Sequence, residues 1–320
     1  MPEWVSSPRS GICLQMRGQV MASLRSKFYS RVLRRTFRGR GFGEGLEALK
    51  RVRSGEDRSF ILSLLSQSAP PHATTEINGN YVEWLGNPEA DYTLLYLHGG
   101  GYIMGGPDTH RSMVRALARY ANVRALLLDY RLAPENPFPA AIEDAEAAYD
   151  WLLEQGVAPE KMFVAGDSAG GGLSLALMLQ LKAHGKTQPK AAALLSPWTD
   201  LTSSGESARS RAERDPMIDI NRMPEAIAYY CNEHPADDPL ISPVFADLAG
   251  LAPLFVQVGT EEVLFDDATR LVERAEAAGT KAELQIWDDM PHVHQIAFRM
   301  VPEARAALKD IARFFKGAMA

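Results

Sequence analysis

Residues 162–173 read Met-Phe-Val-Ala-Gly-Asp-Ser-Ala-Gly-Gly-Gly-Leu, and this stretch decides the fold. A short apolar run ends in Gly166-Asp167-Ser168-Ala169-Gly170, and an apolar segment typical of a helix follows at once. A strand, a sharp turn and a helix are the context in which Gly-x-Ser-x-Gly forms a nucleophile elbow. Side chains at the two flanking positions would clash, and Gly166 and Gly170 avoid that clash. The same pattern occurs by chance in glycine-rich loops, so Ser168 also needs a base and an oxyanion site elsewhere in the chain.

The composition is that of a globular chain with one large core. It has 320 residues, of which 46% are hydrophobic, enough for a single α/β domain. No uninterrupted apolar run approaches the roughly 18 to 20 residues that span a bilayer, and the first four residues lack the pattern of a signal peptide. We therefore expect a cytoplasmic protein without a stable membrane anchor. Cys13 and Cys231 are far apart, so we expect free thiols, no Cys-rich metal site and no cofactor.

The charge is distributed unevenly along the chain. Residues 1–58 hold 13 Lys and Arg against 5 Asp and Glu, although the whole chain has a net charge of −6. From Val20 to Arg38, apolar residues recur at a spacing of four, at Val20, Leu24, Phe28 and Val32, with Leu33 and Phe37 beside them. With arginines between them, they predict an amphipathic basic helix. Such a face can bind an acidic membrane or nucleic acid, but it more often packs against its own protein, and we favour packing. No groove-reading element accompanies the arginines, so we expect no nucleic-acid partner.

Short apolar runs alternate with helical patterns along the rest of the chain. Residues 74–84 contain Asn78-Gly79 between alternating segments, which indicates a hairpin. Further strands are predicted at Thr93–Leu97, Val123–Asp129, Lys161–Gly166, Ala191–Leu195, Leu254–Val258 and Glu283–Trp287. Besides the helix after Ser168, helices are predicted at Asp108–Tyr120, Ala140–Gln155, Met223–Cys231, Asp266–Ala278 and Pro302–Phe315. This alternation predicts an α/β fold with a mostly parallel eight-stranded sheet flanked by helices.

Two glycine-rich segments follow predicted strands, His98–Gly101 and Gly166–Gly170. Loops at the carboxyl ends of parallel strands form the site in open α/β sheets. The three consecutive glycines at 99–101 leave their backbone amides open to a ligand, and with the amide of Ala169 they predict an oxyanion site. Residues 198–239 interrupt the alternation, and we interpret them as an insertion that folds over the sheet.

The base and the acid of a serine enzyme are expected after the last two strands. Two histidines, His292 and His294, follow Glu283–Trp287. The remaining candidates are expected to be solvated imidazoles, namely His72, His110, His184 and His234. Four carboxylates follow the preceding strand: Glu261, Glu262, Asp266 and Asp267. The two aspartates directly precede a helical pattern and can cap it, and periodicity does not choose among the four.

Four motifs resemble the hormone-sensitive-lipase-like branch of the α/β-hydrolases, the bacterial family IV esterases. They are His98-Gly99-Gly100-Gly101, Tyr130-Arg131-Leu132-Ala133-Pro134-Glu135, Gly166-Asp167-Ser168-Ala169-Gly170 and Pro291-His292. In this order and spacing they are jointly very specific, and the resemblance covers roughly residues 75–320. It implies Ser168 as the nucleophile and His292 as the base, with His98 shaping the loop. It implies that the oxyanion hole consists of the amides of Gly100, Gly101 and Ala169.

The resemblance also selects an acid. The family usually places an aspartate before a Pro-Leu or Val-Leu pair, and here Glu262 precedes Val263-Leu264. That alignment implies Glu262 as the acid and leaves Asp266 as a helix cap. The glutamate departs from the commoner aspartate, and its extra methylene must be absorbed by a displacement of the loop. His294 is a second departure, because many members carry an aromatic residue there.

The resemblance further implies a cap over the catalytic domain. The expected division is cap helices in residues 1–70, a catalytic domain in 71–197 and 240–320, and a cap insertion in 198–239. Phe28 and Phe37 are then candidates for the lining of the acyl pocket. Many relatives dimerise through the last strand and helix, here Glu283–Trp287 and Pro302–Phe315, which implies that two copies can form a homodimer.

The implied activity is hydrolysis of small-molecule carboxylic esters with short to medium acyl chains, through an acyl-enzyme and without cofactor or metal. Two alternatives stay open at this point. One is a lipase for longer acyl chains. The other is a non-catalytic protein that binds small ligands on a hydrolase scaffold, although such proteins typically lose the serine or the histidine.

Overall fold

The computed structural model of the chain describes residues 5–6, 13–16, 22–38, 45–54 and 68–320. Side chains are described in the last three of these ranges. Much of the predicted cap region 1–70 therefore lies outside the described residues, including Val20 at the start of the predicted basic helix. Among the residues that are described, no helix is both long enough and apolar enough to cross a bilayer.

The described chain forms one sheet of ten strands. These are β1 (Val5–Ser6), β2 (Cys13–Met16), β3 (Ala73–Ile77), β4 (Asn80–Gly86), β5 (Thr93–Leu97), β6 (Arg124–Leu128), β7 (Met162–Asp167), β8 (Ala191–Leu195), β9 (Leu254–Gly259) and β10 (Ala282–Trp287). Their order across the sheet is β1-β2-β10-β9-β8-β7-β5-β6-β4-β3. All pairs from β2 to β6 in that order are parallel, and the pairs at the two ends are antiparallel. The eight predicted strands are β3 to β10, so the predicted fold class is confirmed.

Helices lie on both faces of this sheet. They are α1 (Leu24–Leu33), α2 (Gly45–Ser54), α3 (Pro107–Ala121), α4 (Ala140–Glu154), α5 (Ala169–Ala183), α6 (Ser207–Ser210), α7 (Met223–Cys231), α8 (Phe265–Ala277) and α9 (Pro302–Met319). A π-helical turn, Arg34–Arg38, continues α1. Short 3-10 turns occupy Pro159–Lys161, Ile220–Arg222, Pro243–Phe245 and His294–Ala297.

The central strands are buried on both faces, as their continuous apolar sequences predict. In β5, Leu94 and Tyr96 pack in the apolar cluster that includes α3 and α9. Leu95 and Leu97 pack in the cluster on the opposite face, which includes α4 and α5. Because β5, β7, β8, β9 and β10 are parallel neighbours, their carboxyl ends meet at one edge of the sheet. The loops that follow them are therefore brought together there.

The predicted hairpin opens the catalytic part of the sheet. Asn78 and Gly79 join β3 to β4, with φ angles of 50° and 80°. Positive φ at both central residues is what a two-residue type I′ turn requires, and it explains the Asn-Gly pair.

Two strands near the N terminus were not predicted. Residues 14–16 of β2 pair in parallel with residues 284–286 of β10, and β1 pairs with β2. The edge of β10 offers backbone groups to which an extended segment can add, and a four-residue segment is too short to show a period in the sequence. Residues 13–16 thus extend the sheet, although they fall within the predicted cap helices. The homodimer through β10 and α9 stays a prediction, and its strand contact would have to displace β2.

Helix α1 packs against the protein, as favoured above, but through only part of the predicted apolar face. Leu24 and Phe28 are 86% and 59% exposed. The buried residues are Ser26, Tyr29 and Leu33, and the two larger ones pack against Trp287 and its neighbours. Of the predicted apolar residues, Leu33 is buried and Phe37 is partly buried, whereas Leu24 and Phe28 are exposed. The prediction missed Tyr29 and the small Ser26, which complete the contact stripe.

Candidate active site

Ser168 lies at the turn between β7 and α5, with φ 52° and ψ −124°. This conformation is strained for a residue with a side chain, and it places the hydroxyl outside the turn. The two glycines of the motif, Gly166 and Gly170, lie where no side chain fits. A Cβ on Gly166 would lie 2.2 Å from the carbonyl oxygen of Gly170, and one on Gly170 would lie 2.1 Å from that of Leu97. The glycines of the motif are therefore required by close backbone contacts.

The structure brings Ser168, His292 and Glu262 into one hydrogen-bonded row. Ser168 Oγ lies 2.9 Å from Nε2 of His292, and Nδ1 of the same ring lies 2.7 Å from Glu262 Oε2. His292 is nearly buried, and Glu262 is completely buried. Burial alone would lower the pKa of His292, but the hydrogen bond and the charge of Glu262 raise it above its ordinary value, helped by two further carboxylates. When Nδ1 carries the ring proton, Nε2 can accept the proton of the serine hydroxyl.

Glu262 is held through its second oxygen as well. Oε1 accepts hydrogen bonds from the amide of Gly259 at 2.6 Å and from the hydroxyl of Ser196 at 2.7 Å. The Ser196 oxygen in turn accepts the amide of Val293, the residue after His292, at 3.2 Å. Ser196 was not predicted as a site residue, although its position directly after β8 places it at the same edge of the sheet.

The other three carboxylates considered as the acid have different partners. Glu261 pairs with Arg214 at the surface. Asp266 accepts the amide of Ser207 at 2.9 Å. Asp267 is buried and accepts two amides of the insertion, those of Thr199 and Asp200, both at 2.9 Å.

The expected role of Asp266 and Asp267 as N-terminal caps of α8 is therefore wrong. Helix α8 begins after Leu264 without a side-chain cap. The reason is that the insertion brings its own unpaired amides to the first turn of α8, and these amides bind both carboxylates. Local sequence patterns carry no information on where the insertion lies.

The glycine loop after β5 adopts a backbone that other residues would not tolerate. Gly100 and Gly101 have φ angles of 128° and 64°, and a Cβ on Gly100 would lie 1.9 Å from the carbonyl oxygen of Met104. Both glycines line the same cavity as Ser168. Within the described residues, the amides of Gly100, Gly101 and Ala169 donate no hydrogen bond. They are available to a ligand at the nucleophile.

Asp167 ties the glycine loop to the elbow. Its Oδ1 accepts the amide of Gly99 at 3.2 Å and the hydroxyl of Tyr96 at 2.8 Å, and its Oδ2 lies 3.2 Å from Nε2 of His110. Burial would lower the pKa of His110, but the charge of Asp167 raises it above its ordinary value. The prediction of a solvated His110 was wrong, because its position on α3 faces the interior. The other three histidines of that group are exposed, namely His72, His184 and His234.

Two further imidazoles near the site are buried and neutral. His98 stacks on Tyr130 with ring centroids 4.2 Å apart, and burial lowers its pKa to about 3. His294 packs beside Trp287 at 5.4 Å, and burial likewise lowers its pKa to about 3. Among the described residues that line the cavity, His292 is present and His294 is not. His98 therefore shapes the loop from within, and His294 belongs to the core.

A cavity of about 570 Å³ opens at Ser168. Its apolar walls come from α1 with its π-turn, from α2 and from the insertion, through Tyr29, Leu33, Phe37, Leu49, Val52, Met217, Ile218 and Met223. Of the two phenylalanines considered as lining, Phe37 lines this cavity and the exposed Phe28 does not. Arg34 joins two parts of the wall, since its guanidinium donates to the carbonyl oxygens of Glu213 and Arg214 at 2.8 and 2.7 Å.

No group of three or more His, Cys, Asp or Glu side chains in the described parts of the chain is arranged to hold a metal ion. Cys231 is buried as a free thiol, and burial raises its pKa to about 11. The side chain of Cys13 lies outside the described set.

The known proteins to which this chain is similar are hydrolases. A sequence model of the α/β-hydrolase fold matches residues 94–296. An acetyl-hydrolase of Streptomyces hygroscopicus is 43% identical over 253 residues, which cover 78% of this chain and 84% of that protein. The crystal structure of the esterase EstE5 has a TM-score of 0.86 at 40% identity and covers 93% of this chain and 99% of that one. An esterase from the bacterial hormone-sensitive lipase family has a TM-score of 0.85 at 39% identity, with 94% and 100% of the two chains covered.

The fold and the site thus define an α/β-hydrolase with a serine at its elbow. The chain belongs to the bacterial hormone-sensitive-lipase family within that superfamily. It is a carboxylesterase, so the predicted resemblance and the predicted enzyme class are confirmed.

Proposed function

We propose that this esterase hydrolyses carboxylic esters with short to medium acyl chains through an acyl-enzyme on Ser168. The observation that carries the proposal is the unbroken row from Ser168 Oγ to His292 Nε2 at 2.9 Å and from His292 Nδ1 to Glu262 Oε2 at 2.7 Å. A serine hydroxyl is a poor nucleophile until an adjacent base takes its proton, and this row supplies that base together with a group that orients it.

The reaction then has two halves. In the first, Oγ of Ser168 attacks the carbonyl carbon while His292 Nε2 takes the hydroxyl proton. The ester C–O bond breaks, and Nε2 returns the proton to the leaving alcohol. In the second, Nε2 takes a proton from water as the water oxygen attacks the acyl group, the bond to Oγ breaks, and the proton returns to Ser168 as the carboxylic acid leaves. Glu262 keeps Nε2 directed at the serine and stabilises the imidazolium in both halves.

The developing oxyanion is assigned to the amides of Gly100, Gly101 and Ala169. Donors that are fixed before the reaction stabilise this charge without rearranging, which commonly accounts for a large part of the rate enhancement. The hydrogen bond from the amide of Gly99 to Asp167 supports this role. It holds the loop that carries two of these donors against the strand end that carries the nucleophile.

The preference for short to medium acyl groups is proposed from the cavity. Its volume of about 570 Å³ lies within the range typical of small-molecule sites. Its walls include Tyr29, Leu33 and Phe37, which are suited to an acyl chain and not to a charged group. The relative from Streptomyces carries the name acetyl-hydrolase, which agrees with a small acyl group.

One observation favours a second candidate, a lipase acting at a lipid surface. Leu24 and Phe28 lie four residues apart on α1 and are exposed, with Arg25, Lys27 and Arg31 exposed around them. An exposed apolar and basic helical face is suited to an anionic lipid surface. This helix also carries part of the cavity wall, so such a surface would lie near the site.

An acyl-length series separates the two candidates. Initial rates would be measured on p-nitrophenyl esters from acetate to palmitate, with Ser168→Ala as the blank. The proposal expects a maximum of kcat/KM between two and eight acyl carbons and loss of turnover in the blank. A maximum at palmitate that grows when the substrate aggregates would favour the lipase instead.

A further inference from the structure

Asp215 is a buried carboxylate of the insertion that contacts the loop carrying Glu262. It is completely buried. Its Oδ2 accepts the amide of Val263, the residue after Glu262, at 3.0 Å. Its Oδ1 accepts the amides of Met217 and Ile218 at 2.8 and 2.9 Å, and both of these residues line the cavity. One side chain therefore joins the cavity wall to the loop of the proposed acid.

The charge state of Asp215 is set by opposing effects. Burial raises its pKa above the ordinary value, while the positive charge of protonated His292 and the three amide donors act in the opposite direction. The carboxyl is therefore most strongly ionised when His292 carries a second proton. That is the state which forms as the serine is deprotonated.

We propose that Asp215 is a positioning residue for the relay: it fixes the Glu262 loop against the insertion and adds a second carboxylate whose charge acts on His292. The inference rests on the proposed relay of Ser168, His292 and Glu262. It adds to that relay a residue from the insertion, for which the sequence had indicated no chemistry. The same carboxylate accepts the amides of Met217 and Ile218 in the cavity wall. Asp215 therefore supports the cavity wall and also contributes to the charge that acts on the base.

Several other charged or titratable groups face His292 or its acid. Glu262 faces the ring from the loop after β9, Asp167 from the end of β7, and His294 from the same loop as His292. Arg211 of the insertion lies over the ring of Phe265 at 3.7 Å and acts on Glu262. These groups differ from Asp215 in the residues with which they pair.

Asp167 lies 3.2 Å from Nε2 of His110, and the raised pKa of His110 favours its protonated form, which offsets charge on Asp167. The described side chains place no cation in an ion pair with Asp215, which is bonded by amides. Its charge can therefore act on the imidazolium with little internal compensation.

The test is Asp215→Asn in the full-length enzyme, followed by the pH dependence of kcat/KM. The asparagine oxygen can still accept the amides of Met217 and Ile218, but its amino group cannot accept the amide of Val263, so the variant loses the charge together with the contact to the Glu262 loop. Without that charge the imidazolium is less stable, the pKa of His292 falls, and the acid limb moves to lower pH by about 0.5 to 1 unit. Because one unit of pKa corresponds to about a tenfold difference in stabilisation of the two protonation states, kcat should fall by up to about 10-fold.

Asp267→Asn is the matched control. Asp267 of α8 is also buried, and it contacts the same insertion by accepting two of its amides. Burial raises its pKa to about 8, so at neutral pH it has little charge to lose. A purely structural role predicts that both variants lower the melting temperature and leave the acid limb in place. The proposal predicts a shifted limb for Asp215→Asn alone.

An acid limb that stays in place, or moves to higher pH, in folded Asp215→Asn would overturn the proposal. If that variant does not fold, Asp215→Ser, which also removes the charge and retains an acceptor, must show the same shift. The relay itself is tested separately in the same series. If Ser168→Ala retained turnover, the proposed function would fail, whereas an unshifted limb with an inactive Ser168→Ala would reject the role of Asp215 alone.

Discussion

The hydroxyl of Ser196 donates a 2.7 Å hydrogen bond to Oε1 of Glu262. The hydroxyl oxygen of Ser196 in turn accepts the amide of Val293, so one buried side chain joins the loop of the proposed acid to the loop of the proposed base. A glutamate is one methylene longer than the aspartate usual in this family, so its carboxylate must be held one bond further from the backbone. Ser196 and the amide of Gly259 provide this support.

Ser196→Ala should lower kcat by about 10- to 100-fold with a smaller effect on KM. The reason is that a hydrogen bond to a charged group contributes about 1.5 to 3 kcal/mol, and here it holds the group that orients the base. Steady-state kinetics on p-nitrophenyl butyrate measures the change. Thr280→Val is the control, because Thr280 also has a buried hydroxyl, bonded to the carbonyl of Leu248, but lies outside the site. Equal kcat losses in the two variants would contradict the role of Ser196.

Glu262→Gln should reduce kcat by about 10⁴-fold, the scale seen when the orienting acid of a serine triad becomes an amide. The amide would favour the wrong tautomer of His292. Asp266→Asn should keep most of the activity, because its carboxylate binds the amide of Ser207 and asparagine can accept the same bond. The two variants would be compared in kcat on one ester. A large loss confined to Asp266→Asn would identify a different acid.

The pH dependence should have an acid limb above pH 6.5. His292 acts as a base only when neutral, and its pKa is raised, chiefly by the hydrogen bond to Glu262 working against burial. Activity should therefore be lost as the pH falls through this raised pKa and be retained above it. The measurement is kcat/KM between pH 5 and 9, which reports the free enzyme. A limb well below pH 6.5 would mean that burial outweighs the carboxylate.

Gly170→Ala should destabilise the fold by several kcal/mol or prevent folding. Its Cβ would lie 2.1 Å from the carbonyl oxygen of Leu97, with backbone on both sides. Gly185→Ala is the control, because Gly185 has a positive φ of 67° and a Cβ there would have no neighbouring atom within 4 Å. It should cost about 1 to 2 kcal/mol from backbone strain alone. Chemical denaturation of both variants measures the difference, and similar free energies of unfolding would contradict the close packing of the elbow.

Phe37→Ala should shift the acyl preference towards longer chains. Phe37 lines the cavity, and each additional methylene that an apolar pocket accommodates contributes about 1 to 3 kcal/mol. The ratio of kcat/KM for the hexanoate and acetate esters should rise about 10-fold. Phe28→Ala removes the same side chain from the exposed face and should leave the ratio unchanged. A shift in both variants, or in neither, would contradict the placement of α1 and its π-turn in the acyl site.

The sequence was sufficient to predict the eight strands β3 to β10, and together with the family resemblance it named the three proposed catalytic side chains. Strands buried on both faces leave continuous apolar runs, and the elbow leaves glycines that close contacts require at 166 and 170. The choice of Glu262 over its neighbours came from the resemblance, since periodicity left four carboxylates open. In the structure, Glu262 is the one of the four that contacts His292.

What the sequence did not reveal depends on contacts between distant segments. The partners of Asp266 and Asp267 lie about 60 residues earlier, in the insertion, and local pattern favours the nearer helix terminus. His110 was expected in solvent because it lies at the end of a predicted helix, yet Asp167 contacts it in the interior. The inward face of α1 includes Tyr29, whose aromatic ring packs in the interior although the side chain carries a hydroxyl.

The acyl-enzyme tests the central claim most directly. The enzyme would be quenched in acid during turnover of p-nitrophenyl butyrate and digested with trypsin. The peptide Met162–Lys182 contains two serines, Ser168 and Ser174, and Ser174 serves as an internal control because its hydroxyl is buried and donates to the carbonyl of Gly170. We predict a butyryl group on Ser168, located by fragmentation, and its absence in Ser168→Ala. Turnover with no acyl group on this peptide, or a butyryl group on Ser174, would contradict the account.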